Sequence, residues 1–273
     1  MHNALLAWFS ASAPRPLLVI AGPCVLEDAA TNDLIASTLH DICAELKFPF
    51  VFKASFDKAN RSSVHSKRGL GMERGIGELG RIREKFRVPV TTDIHAPEQA
   101  ALAARVIDLL QIPAFLCRQT DLLVAAAATG RPVNVKKGQF MSPQEMQNVL
   151  VKLSEGGCTA PMLTERGTFF GYNRLVNDFI GVGDLMDMGV PVCFDATHSA
   201  QLPGGSITAT AGRADRVPLL ARAAIAAGVD ALFLECHPTP AASASDAATI
   251  QPLQSVPDLL RSLAGIRRAI GKP

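Results

Sequence analysis

Eight short runs rich in Val, Ile, Leu and Phe recur along the chain, separated by stretches with helical periodicity, and this alternation restricts the fold more than any other feature. The runs are LLVIAG (17–22), FVFKAS (50–55), VPVTTDI (88–94), DLLQIPA (108–114), PVNVKK (132–137), APMLTE (160–165), PVCFDATH (191–198) and ALFLECH (231–237). Amphipathic segments lie at 29–46, 73–86, 97–106, 121–129, 143–154, 216–227 and 256–270. Strands joined by crossovers of this length pair in parallel. Runs so nearly continuous in apolar residues suit strands covered on both faces. Eight such units predict a single (β/α)8 TIM barrel, a fold of about 250 residues. An open doubly wound sheet fits less well, because AGPCVLED after the first run lacks the GxGxxG spacing of a dinucleotide-binding turn.

The barrel is expected over 17–273, with 1–16 as an N-terminal extension, flexible or packed on the surface. That extension contains an apolar run and Ala-Ser-Ala, but no Lys or Arg precedes the run and Pro14 follows directly, so a targeting peptide is not predicted. With 273 residues, 48% hydrophobic and 19% charged, the chain is too apolar for disorder and long enough for a large core. A net charge of +2 gives no strong pull toward nucleic acid or an anionic membrane, and one Trp with one Tyr argues against a base-stacking platform. No run approaches the roughly 18 apolar residues that span a bilayer. The six cysteines, at 24, 43, 117, 158, 193 and 236, form no CxxC pair and suggest reduced thiols in a cytoplasmic protein. Two polar stretches, 56–72 and 199–215, follow strands; on a barrel they rise from the face that carries active sites.

Every run ends on polar residues: Cys24, Lys53, Asp93 with His95, Gln111, Lys136, Arg166, His198, and Glu235 with His237. Strand alternation puts Asp93 and His95 on one face, and likewise Asn134 and Lys136, and Glu235 and His237. Any one of these has an ordinary structural explanation; eight together point to a site, since so many buried charges without a ligand would be very costly. The cations Lys53, Lys58, Arg61, Lys136 and Arg166 suit phosphates and carboxylates, whereas Lys67 and Arg68 fit a solvated loop. Cys24, His198, Glu235 and Asp246 offer a thiolate, an imidazole and two carboxylates, a set suited to Zn²⁺, Fe²⁺ or Mn²⁺, although spacing alone leaves structural roles open. A Schiff-base aldolase using Lys136 or Lys53, and a catalytically silent sugar-phosphate binder, stay open as alternatives.

KASFDKANRSSVHS (53–66), IPAFLCRQTDLL (112–123), VNVKKGQF (133–140), TERGTFFGYNRLVNDF (164–179), FDATHSAQLPGG (194–205) and ECHPTPAASASDAAT (235–249) closely resemble the 3-deoxy-D-manno-octulosonate 8-phosphate synthase family, from about Leu17 to the C-terminal helix. The related heptulosonate synthases carry a KPRTS-like motif where this chain has Lys58-Ala59-Asn60-Arg61-Ser62-Ser63. The resemblance implies a condensing transferase that joins phosphoenolpyruvate to arabinose 5-phosphate for lipopolysaccharide synthesis. Metal-independent members have Asn where this chain has Cys24, so it implies the metal-dependent class, with Cys24, His198, Glu235 and Asp246 holding a divalent ion. It further implies that Lys53, Lys58, Gln111, Lys136 and Arg166, with the Ala114 backbone, hold phosphoenolpyruvate. Asn60, Arg61, Ser62 and Asp93 would hold the sugar phosphate. Lys58, Asp93, Lys136 and His198 are the positions at which it places the chemistry. Arg118 resembles a residue that reaches a neighbouring subunit, implying a homotetramer. The loop SITATAGRADR (206–216) departs from the family's glycine-rich basic segment, with Arg213 expected to keep the basic role.

Overall fold

All eight runs become strands, and all but the last are shorter than the apolar run that predicts them: β1 Leu18–Gly22, β2 Phe50–Lys53, β3 Val90–Asp93, β4 Leu109–Ile112, β5 Val133–Lys136, β6 Pro161–Glu165, β7 Val192–Asp195 and β8 Ala231–His237. Each pairs in parallel with the next, and β1 pairs with β8 through Leu18–Ala231, Ile20–Phe233 and Gly22–Glu235, so the sheet closes into a single (β/α)8 barrel. The structure is a computed structural model and describes residues 2–60, 65, 68–204 and 211–273.

The helices are α1 His2–Ser10, α2 Ala29–Leu46, α3 Met72–Phe86, α4 Pro97–Ala103, α5 Thr120–Ala127, α6 Met146–Glu155, α7 Phe179–Met186, α8 Val217–Ala227 and α9 Val256–Ala269. Local chemistry sets the best-predicted boundary. The Asp28 carboxylate accepts the Ala30 and Thr31 amides at the start of α2, and Lys47 closes it in the left-handed region. Two helices lie outside the predicted segments. The α7 sequence FIGVGDLM has two glycines and a single charge, so no polar stripe marks it. Helix α1 forms within the predicted extension. Leu5, Trp8 and Phe9 are buried against Leu18, Ile20, Val51, Leu109, Met162, Cys193 and Phe233, so α1 stoppers the end of the barrel where the strands begin.

Inside the barrel the side chains change character along each strand. The inward i, i+2 pairs run Val51–Lys53, Thr91–Asp93, Leu109–Gln111, Asn134–Lys136, Met162–Thr164, Cys193–Asp195 and Phe233–Glu235, and all of them are buried. The outward residues, among them Val19, Phe52, Leu110, Val135, Leu163, Phe194 and Leu234, pack under the helices. The interior is thus apolar over α1 and polar at the opposite end. Two small additions decorate that polar end: Gln201–Leu202 pairs antiparallel with Ala211–Gly212, and Gln251–Pro252 extends the sheet beside β8.

Candidate functional site

The polar end gathers three of the four expected metal-ligand residues into one tight group. The ligand atoms of Cys24, Glu235 and Asp246 lie within 4.8 Å of one another, and the Cys24 thiol donates to Asp246 Oδ2 at 3.0 Å. His198 stands beside this trio, with Nε2 3.8 Å from Glu235 Oε2 and 4.0 Å from Asp246 Oδ2. It lies in the short helical turn His198–Ala200 rather than in the strand that PVCFDATH predicts, because Asp195 Oδ1 accepts its amide at 2.9 Å and turns the chain. Two backbone features place the ligands. At Gly22 a Cβ would sit 2.0 Å from the Lys53 carbonyl oxygen, so only glycine lets β1 and β2 run this close beside Cys24. Asp246 holds a left-handed φ of 52°, a conformation Asp tolerates better than most residues, and aims its carboxylate at the thiol.

One atom tests whether these residues fit a cation. Glu235 Oε2 is fully buried and has no hydrogen-bond partner among the described residues, although Oε1 accepts from Lys53 at 2.5 Å. Burial, then the Glu235 carboxylate, push the Cys24 thiol well above its ordinary range, against the pull of Lys58. A soft thiol, two carboxylates and an imidazole converging on one point, with a carboxylate oxygen left over, match a borderline divalent ion. Asp195 supports the set from behind: its Oδ2 lies 2.7 Å from His198 Nδ1, which directs Nε2 toward Glu235 and Asp246.

The expected cations arrive at the same mouth, but two are already engaged. Lys53 Nζ donates to Glu235 and to the Cys24 carbonyl, while Lys136 Nζ donates to Asp195 Oδ2 at 2.6 Å and lies 3.6 Å above the Phe233 ring. Burial disfavours the Lys58 ammonium, yet the charges of Cys24, Glu235, Asp93 and Asp246 outweigh it and hold this lysine above its usual range. Arg166 is the exception. It is 5% exposed, its Nη2 reaches only the neutral Gln201 oxygen at 2.7 Å, and its Nη1 is buried without a partner among the described residues. Burial lowers its affinity for a proton, as expected of a guanidinium with no anion on it.

Gln111 and Asp93 meet at 2.6 Å, and the second Asp93 oxygen accepts from Ser55 at 2.6 Å. Burial would raise the Asp93 carboxyl, but Lys53, Lys58 and Lys136 hold it far below the usual range, so it is an anion. Ala114 opens the helical turn Ala114–Leu116 after β4, at the rim. Asn60 is exposed beyond β2, and Arg61 and Ser62 lie outside the described residues. Arg118 is exposed, and among the described residues no hydrogen bond or ion pair joins its side chain to the cluster. Arg213 forks on Asp215 at 2.8 and 2.7 Å, and Arg68 forks on Asp57 in the solvated loop predicted for it. Strand-end reading overlooks Ser55, Asp195, Thr164 and Gln201. The inward spacing of Cys193 and Asp195 was the available signal for the second of these; the others become visible only as partners.

The DAHP synthetase I family matches residues 11–265 of this chain. The chain is 54% identical over 248 residues to the protein named 2-dehydro-3-deoxyphosphooctonate aldolase of Granulibacter bethesdensis, covering 91% of this chain and 88% of that one. Proteins of the same name are 51% identical over 256 residues in a Cyanothece species, covering 94% of both chains, and 55% identical over 251 residues in Nitratidesulfovibrio vulgaris, covering 91% of both.

Proposed function

The chain belongs to the DAHP synthetase I family, and from that premise we propose that it condenses phosphoenolpyruvate with D-arabinose 5-phosphate and water, yielding 3-deoxy-D-manno-octulosonate 8-phosphate and inorganic phosphate. The name shared by its relatives describes this eight-carbon product, and the Lys58-Ala59-Asn60 sequence supports the same branch over the seven-carbon one. The observation that carries the substrate class is Arg166: a buried guanidinium at the polar mouth whose Nη1 has no partner among the described residues is suited to receive an anion.

In this reading Arg166, Lys136, Lys58, Lys53 and Gln111 hold the phosphate and carboxylate of phosphoenolpyruvate, with the Ala114 backbone at the rim. Asn60, Arg61, Ser62 and Asp93 hold the sugar phosphate and its hydroxyls. Carbon 3 of the enol phosphate attacks the sugar aldehyde, positive charge develops at carbon 2, and water captures it; the resulting hemiketal phosphate collapses with loss of phosphate. The chain's contribution is to bring two mutually repelling anions together and to have its charges already in place when the new bond forms. Lys58, whose ammonium form the neighbouring Glu235, Asp93 and Asp246 favour, is suited to that task. Cys24, Glu235, Asp246 and His198 would hold a divalent ion such as Zn²⁺, Fe²⁺ or Mn²⁺. Such an ion supplies Lewis acidity and orientation for a substrate oxygen. Lys53 and Lys136 each donate to a carboxylate, so neither is poised as the free amine that a Schiff-base aldolase needs.

The reading extends to a homotetramer in the cytoplasm, supplying lipopolysaccharide synthesis. Phe170, Tyr172 and Ile180 stand 98%, 93% and 81% exposed beside a groove of about 550 Å³ lined by Met141, Phe169 and Phe179, an apolar surface of the kind that subunits cover. No helix among the described residues is long and apolar enough to cross a membrane. The deciding experiment is phosphate release from phosphoenolpyruvate with arabinose 5-phosphate, before and after thorough chelation. Turnover that stops on chelation and returns with Zn²⁺, Fe²⁺ or Mn²⁺ is expected. Arabinose 5-phosphate left unconsumed by metal-loaded protein would overturn the reaction, and activity indifferent to chelation would overturn the metal.

A further inference from the structure

Below the cations, one row of hydrogen bonds runs along the inner wall of the barrel through the neighbouring strands β6, β5, β4 and β3. Thr164 Oγ1 donates to Asn134 Oδ1 at 2.6 Å, Asn134 Nδ2 donates to Gln111 Oε1 at 3.1 Å, and Gln111 Nε2 donates to Asp93 Oδ1 at 2.6 Å. Ser55 closes the far end on Asp93 Oδ2 at 2.6 Å. All five residues are buried. The row can run in only one direction. A buried carboxylate accepts and does not donate, so the Gln111 amide must present its NH₂ to Asp93 and its oxygen to Asn134. Asn134 must then turn its own NH₂ toward Gln111, which leaves its oxygen for the Thr164 hydroxyl. Each of the three neutral groups is thereby committed by an anion at the end of the row, at a depth where an unmade hydrogen bond is costly.

We propose that Asn134 and Thr164 are positioning residues, which lock the Gln111 amide so that its remaining N–H, and never its oxygen, faces the phosphate or carboxylate of phosphoenolpyruvate. The proposal rests on the reading of Gln111 as a phosphoenolpyruvate contact. A glutamine free to rotate presents donor and acceptor alike, and half of its orientations repel an anion. The row removes the repelling orientation before substrate arrives, so no reorganisation is needed on binding. Neither Asn134 nor Thr164 needs to touch the substrate to do this.

The test measures phosphoenolpyruvate binding to the metal-loaded enzyme by titration calorimetry, alongside the KM for arabinose 5-phosphate. Asn134→Asp places a second acceptor against the Gln111 oxygen while Asp93 still holds the NH₂, so the amide loses the donor that fixes its oxygen, and the phosphoenolpyruvate Kd is expected to rise about tenfold or more. Thr164→Val, of nearly the same shape, frees the Asn134 oxygen and is expected to raise it about threefold, whereas Thr164→Ser restores the hydroxyl and the wild-type value. The KM for the sugar phosphate stays unchanged in all three. Should Asn134→Asp fail to fold, the Val and Ser pair at 164 decides by the same criterion. A folded Asn134→Asp or Thr164→Val protein with wild-type phosphoenolpyruvate affinity overturns the proposal, as does a parallel loss of both substrates with the melting temperature. Wild-type enzyme that takes up no phosphoenolpyruvate overturns instead the reading of the site on which it rests.

Discussion

At the scale of single residues the site is a balance of buried charges, and its members differ in what their loss should do. Cys24 would bring a thiol to a candidate metal set that otherwise offers only oxygen and nitrogen atoms. Cys24→Ala is expected to reduce the metal retained after gel filtration from stoichiometric to undetectable, read by elemental analysis, with the far-ultraviolet circular dichroism unchanged. Cys24→Asn introduces the residue that the resemblance places in metal-independent members and should retain part of the proposed activity without bound metal. Asp195 acts one step further out, on His198 Nδ1 and on Lys136 Nζ. Asp195→Asn should weaken metal binding about 10–100-fold, the usual cost of removing a carboxylate behind a ligating histidine. Competition with a chromophoric chelator measures this, and an unchanged affinity would remove Asp195 from the ligand support.

At the scale of elements, packing between strands and between helices sets where those residues stand. Gly22→Ala drives a methyl group into the Lys53 carbonyl, and β1 must separate from β2 exactly beside Cys24 and Lys53. The expected cost is about 1–3 kcal/mol of overpacking or somewhat more, together with loss of bound metal; urea unfolding and metal analysis on one sample check both. On the outer layer Arg81 of α3 joins Asp33 of α2 and Glu78 of α3 at 2.7 Å each, and Lys85 adds to Asp33 at 2.6 Å. The hydrogen bond from Arg81 is the main cause that holds both carboxyls below their ordinary range. Carboxyls with depressed folded-state values contribute stability above the usual carboxylate range of about 4 and lose it as pH falls through the depressed values. Arg81→Met should therefore cost about 1 kcal/mol near neutral pH, a size typical of partly exposed pairs, and the gap to wild type should close in acid. A gap that persists or widens in acid would mean that packing of the arginine stem, not charge, holds α2 to α3.

At the scale of the whole molecule α1 covers the end of the barrel where the strands begin. Arg267, 1% exposed, ties the segments together by donating to the Arg15, Val229 and Pro273 carbonyls. Trp8 is the one tryptophan of the chain and sits on the barrel floor, its Nε1 donating to the Pro16 carbonyl at 2.8 Å. Trp8→Ala should destabilise the protein by about 3–5 kcal/mol in urea unfolding. In the wild type, Trp8 fluorescence should shift to the red in step with loss of the far-ultraviolet signal, if floor and barrel unfold as one unit. A floor that opens at lower urea would show that α1 is separable from the barrel.

Short, nearly continuous apolar runs between helical stretches were enough to determine the eight strands, and strand alternation showed which of their polar end residues share a face, because these properties belong to each strand by itself. The four candidate metal ligands were suggested as a set of residue types, but spacing alone left structural roles open and the resemblance supplied the set. What the sequence could not show was anything that depends on which strands face one another. Cys24 and Asp246 touch across 222 residues of chain only because β1 closes on β8. The pairing of Lys53 with Glu235 and of Lys136 with Asp195, and the direction of the row from Thr164 to Asp93, arise from the same closure. Helix α7 had no polar stripe to announce it, and α1 reveals its role only once there is an open floor to cover. Hydrophobic periodicity is a local property; charge pairing and hydrogen-bond direction are relations between elements, and the tertiary structure alone decided them.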